Sequence, residues 1–104
     1  MTTKIKHNSG IKFKPGQMLS TPGALEEIAR AGQEPLFFLQ KHLRGDWGEV
    51  CEEDKMLNDQ SLVDGSRILS TYKTLLGVKI WIITKAMGDD GYRAATTILL
   101  PDEY

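Results

Sequence analysis

Between residues 21 and 44 the apolar side chains recur at the three-to-four-residue spacing of helices, and from residue 67 onward at the spacing of strands. Thr21 before Pro22 predicts a helix start, because threonine caps free N–H groups and proline at the first position has none to leave unbonded. Leu25, Ile28 and Ala29 supply its stripe and Gly32 its stop. Pro35 opens a second helix in the same way. There Leu36, Leu39 and Leu43 recur with Phe37 and Phe38 widening the face, which predicts a largely buried helix. Lys41, His42 and Arg44 then suit the negative end of the helix dipole, with His42 read as a cap, before Gly45. A third helix is predicted over 52–64, from the acids Glu52, Glu53 and Asp54 to Gly65, with Met56 and Val63 as a narrow inward seam flanked by Leu57 and Leu62.

Strand-like runs cover 67–73, 79–85 and 95–100, separated by turn signals at Gly77 and at Asp89-Asp90-Gly91. The middle run, Ile80-Trp81-Ile82-Ile83, is apolar at consecutive positions and is expected to be the central strand, covered on both faces. An extra short strand is expected near Met18, after the Pro15-Gly16 turn signal. These elements give an α+β fold: two to three N-terminal helices on one face of a C-terminal three-stranded antiparallel meander, with the short N-terminal strand added. Residues 1–10 are polar and read as a flexible arm, leaving 11–104 as a single α+β domain, as a chain of 104 residues allows.

Composition narrows the function classes. Cys51 is the only cysteine, so neither an internal disulfide nor a CxxC pair can form, and a reducing cytoplasm is the expected compartment. The first fourteen residues hold four lysines and no apolar run, unlike a secretory signal, and no stretch is long and apolar enough to suggest a membrane span. Net charge is −1, but residues 1–44 carry seven Lys/Arg against three acids, whereas residues 45–64 carry one lysine against seven acids. The basic first part reads first as a solvated arm on a neutral protein and could otherwise touch nucleic acid, while the acidic segment could meet a basic protein face or mimic nucleic-acid charge.

Three groups of residues are candidates for chemistry or contact. Gly45-Asp46-Trp47-Gly48-Glu49 sets a tryptophan between glycines in a connection; Trp47 either plugs the helix hairpin or anchors a protein partner, with Asp46, Glu49, Asp54 and Asn58 around it. The acids of this region lack the order of a calcium loop, and neither a metal nor a cofactor is expected. Arg67, Lys79 and Arg93, with Lys73 and Lys85, are spread over the strands near Tyr72, Trp81 and Tyr92 and could form a basic sheet face for nucleic acid. His7 and His42, the two imidazoles, sit in no catalytic motif, so the catalytic residues stay unassigned.

Several tokens are familiar as an ordered set: Gly45-Asp46-Trp47-Gly48, Glu53-Asp54-Lys55, Asn58-Asp59, Arg67-Ile68-Leu69-Ser70, 79–84 as Lys-Ile-Trp-Ile-Ile-Thr, and 95–101 as Ala-Thr-Thr-Ile-Leu-Leu-Pro. Over residues 16–104 the chain resembles a family of small bacterial proteins encoded on plasmids and integrated mobile elements. The resemblance implies an accessory protein of a mobile element and carries no established activity; with no catalytic motif in the chain, binding a protein or nucleic-acid partner is the expected role. The run 87–92 is longer than the corresponding turn of that family. A toxin-like small ribonuclease, which also sets two helices before an antiparallel sheet, is the alternative, and a homodimer through strand edges is compatible with either.

Overall fold

The computed structural model describes Gly10–Tyr104; the expected arm, His7 included, lies outside the described residues except for Gly10. The fold is α+β, with β1 (Gln17–Ser20), α1 (Pro22–Arg30), α2 (Pro35–Leu43), α3 (Glu52–Asp64), β2 (Ile68–Lys73), β3 (Lys79–Thr84), β4 (Ala95–Leu99) and a closing 3-10 turn (Pro101–Glu103). Among the described residues, no helix is long and apolar enough to cross a membrane.

The sheet is four-stranded and mixed, in the order β1-β4-β3-β2: the expected three-stranded antiparallel meander is part of it, and the short N-terminal strand extends it in parallel. β2, β3 and β4 pair antiparallel, while β1 lies parallel to β4 with Gln17 opposite Ala95 and Ser20 opposite Ile98. β1 therefore makes two strands interior, β3 and β4. Alternation sends Ile68, Ser70 and Tyr72 of β2, Ile80, Ile82 and Thr84 of β3, and Thr96 and Ile98 of β4 to one buried face. Trp81 and Ile83 point the other way and are only half-buried, so β3 has one fully covered face, not two.

The helices lie on the buried face. Thr21 caps α1 by accepting the Ala24 N–H at 3.1 Å, as its sequence predicts. Ala24 and Ile28 of α1 and Phe38 and Leu39 of α2 join Tyr72, Ile80, Ile82 and Ile98 in the core, and each large aliphatic chain so buried contributes about 2 kcal/mol. α2 is less buried than its composition suggests: Leu36 and Phe37 are half exposed, and the inward stripe is Phe38, Leu39 and His42. α3 also departs from expectation. Its inward residues are Asn58 and Ser61, whereas Met56 and Val63 are 70% and 88% exposed.

That polar seam has a physical reason, because α3 packs against the outer edge of β2 and must satisfy its backbone. Asn58 donates from Nδ2 to the Leu69 carbonyl (2.7 Å) and accepts the Leu69 N–H at Oδ1 (3.1 Å). Ser61 donates to the Arg67 carbonyl at 3.0 Å. Two residues further along, Thr71 N–H donates to the Trp47 carbonyl (3.1 Å) and Glu49 N–H to the Thr71 carbonyl (2.7 Å). The β2 edge is thereby sealed against strand pairing, leaving β1 as the outward edge of the sheet.

Candidate functional site

The structure places the expected partner-binding segment against the β2 edge. Gly48 forms a parallel bridge with Thr71 at φ +76°, and a Cβ there would sit 1.9 Å from the Thr71 carbonyl oxygen, so this close approach requires glycine. Trp47 is turned inward and 4% exposed, donating from Nε1 to Asp59 at 3.0 Å and packing edge-on to His42 at 5.9 Å. Its ring is therefore not available to a partner in this conformation. Asn58 is occupied by the Leu69 backbone, while Asp46, Glu49 and Asp54 are exposed. The turn after β3 continues the hairpin through a Met87–Arg93 bridge and carries Asp89 and Asp90 at an exposed tip.

Beneath α2 lies a polar chain that sequence reasoning missed. His42 is 0% exposed and sits between Ser70 Oγ (2.6 Å from Nδ1) and Thr84 Oγ1 (2.8 Å from Nε2). Thr84 Oγ1 is 2.7 Å from Thr96 Oγ1, which donates to the Pro15 carbonyl at 2.8 Å. Counting donors places the protons. A carbonyl only accepts, so the Thr96 hydroxyl is spent on Pro15; Thr84 then donates to Thr96 and accepts from His42 Nε2–H, leaving Nδ1 to accept from Ser70. Burial, helped by the positive charge of Arg93, pushes His42 down to about 3, so the ring is neutral at pH 7. His42 is thus a satisfied core residue and not the expected helix cap. The serine–histidine pair has the contact of a nucleophile and base, but both residues are sealed from solvent. A signal existed in the sequence: Ser70, Thr84 and Thr96 are hydroxyls at inward strand positions, and His42 lies four residues after Phe38.

Arg93, expected on a nucleic-acid face, is 5% exposed. It donates from Nη1 to the carbonyls of Ser66 (2.7 Å) and Lys85 (3.0 Å) and from Nη2 to that of Ser61 (3.0 Å), tying the end of α3 to β2 and β3. Its guanidinium also sits 5.7 Å from the Phe13 ring. Burial lowers its pKa, partly opposed by Asp64. Arg93 is therefore a staple inside the fold.

What remains of the expected basic set forms a coherent surface. On the sheet face opposite the helices, Lys73 stands directly across from Lys79, and one step beyond the other end of the ladder Arg67 and Lys85 continue the same register. All four are exposed. Among the described residues, none of them lies within 4.0 Å of an acid, although Arg67 lines a groove of about 440 Å³ that also includes Asp54 and Asp64. Like charges directly opposite each other on a sheet are destabilising, so the Lys73–Lys79 pair costs the free protein something that an anion would relieve. Between the cations, half-buried Trp81 meets exposed Tyr104 edge-on at 5.7 Å, beside Ile83 and Thr97. Among the described residues, no group of three or more His, Cys, Asp or Glu is placed to hold a metal ion. The chain matches no model of a known protein family, no curated protein and no solved structure.

Proposed function

We propose that the protein binds nucleic acid through the open face of its sheet. The observation that carries the reading is the arrangement of four exposed cations flanking Trp81: Lys73 directly opposite Lys79, with Arg67 and Lys85 one step beyond the other end of the ladder, none with an acid within 4.0 Å among the described residues. Phosphates neutralise such pairs and release condensed counterions, which favours binding at low salt. An accessory role on a plasmid or integrated mobile element, in the cytoplasm, belongs to the same proposal and is supported by the family resemblance of residues 16–104. Strand cleavage by a toxin-like ribonuclease is the weaker reading, because the one serine–histidine contact among the described residues is sealed beneath α2.

A second reading, a basic protein partner, draws on α3, where Met56 and Val63 stand exposed among Glu52, Glu53 and Asp59. Titrating labelled nucleic acid with the protein at 50 mM and 200 mM salt separates the two. Binding that weakens steeply with salt supports the open face, whereas no binding at either concentration leaves α3 as the contact surface.

A further inference from the structure

Resting on the nucleic-acid reading above, we infer that the open face takes a single strand laid lengthwise along β2 and β3, with a base against Trp81 and Tyr104, in preference to a duplex. The cations sit on two neighbouring strands, about 5 Å apart across the ladder. On the same face β4 and β1 present Thr97 and Leu19, which carry no charge, while Leu99 next to Trp81 is buried. That is a track for one phosphate backbone with an uncharged apron beside it for bases. A duplex has two backbones bordering grooves about 6 and 12 Å wide, and would need a second row of cations where these uncharged side chains stand.

The length of the track sets a footprint. Arg67, one residue before β2, and Lys73 at its end are six residues apart, and so are Lys79 at the start of β3 and Lys85 one residue beyond it, which at the rise of a β-strand separates the two ends of the cation track by about 20 Å. A span of that size suits about four nucleotides, the small end of the site sizes found on single-strand-binding sheets. Trp81 lies between the pairs, two residues from Lys79, and stacking on an aromatic ring needs a base face that a duplex keeps covered.

The test is a fluorescence titration with oligothymidylates and oligouridylates of two to twelve nucleotides and with a twelve-base-pair duplex. In at least one single-stranded series the affinity is expected to rise steeply up to about four nucleotides and only gradually thereafter, with quenching of tryptophan emission. Trp47 is buried, so the quenching reports Trp81 and should vanish in Trp81→Phe. Trp81→Thr, checked for folding by circular dichroism, is expected to bind about tenfold more weakly. A duplex bound as tightly as the single strands, with emission unchanged, overturns the single-strand track while leaving nucleic-acid binding standing. Binding of neither form overturns both.

Discussion

Acidification should destabilise this protein well above the pH at which its carboxylates protonate, and the cause is His42. In the unfolded chain its imidazole titrates near 6.5, whereas in the folded protein burial and Arg93 hold it at about 3. Between those values the unfolded state binds one proton more than the folded state, so stability rises with pH and falls as pH drops. The full contribution is present above pH 6.5 and is progressively lost down toward pH 3. The slope in this window approaches about 1.4 kcal/mol per pH unit, and by pH 5 the accumulated loss is about 2 kcal/mol. At pH 5 the loss depends almost wholly on the unfolded value, because any folded value below about 4 gives nearly the same result. Asp64 and Glu103, each lowered first by a side-chain hydrogen bond, from Ser66 and Thr21 respectively, lose their contributions only at lower pH and leave this window clear. Urea unfolding followed by circular dichroism at pH 7.5, 6.5, 5.5 and 5.0 measures the slope. A His42→Gln variant, which cannot take up the proton, should be less stable at pH 7.5 but flat across the window. A wild type that keeps its stability to pH 5, or a variant with the same slope as wild type, would refute the assignment.

Two contrasts test the packing. Gly48→Ala drives a Cβ to 1.9 Å from the Thr71 carbonyl oxygen at φ +76° and should abolish cooperative unfolding, whereas Gly77→Ala, at φ +85° with nothing within 4 Å, should cost only about 1 kcal/mol in the same urea assay. Arg93→Lys should cost about 3 kcal/mol, because one ammonium cannot replace a fork that reaches the carbonyls of Ser61, Ser66 and Lys85; Arg67→Lys, on the surface, should change stability by under about 0.5 kcal/mol.

Local chemistry made the elements legible. Thr21-Pro22, Pro35 and Gly65 mark helix ends that the structure keeps, and the three C-terminal strands fall within a residue or so of the expected ranges. The parallel pairing of β1 with β4 was not legible, because it joins residues nearly eighty positions apart and Gln17–Ser20 carries no pattern of its own. The inward faces of the helices were misjudged where apolar content stood in for position: Met56 and Val63 point outward because the sheet edge needs the amide of Asn58 and the hydroxyl of Ser61. Charge alone could not separate Arg93 from Arg67. Only the fold shows that one guanidinium is bonded to backbone carbonyls and the other is exposed at the surface. Trp81 was legible as a key residue of β3 but not as a surface one, since the run Ile80–Ile83 is apolar on both sides of the strand.

The most direct measurement is the salt dependence of single-stranded oligonucleotide binding, read by fluorescence anisotropy, for the wild type and for Lys73→Gln/Lys79→Gln. Four phosphate contacts predict that log K falls against log salt with a slope of about −3, and the removal of two cations should bring the slope to about −1.5 and weaken binding at 50 mM salt by tenfold or more. A double variant that stays folded and binds with unchanged affinity and slope would contradict the open sheet face as the nucleic-acid surface.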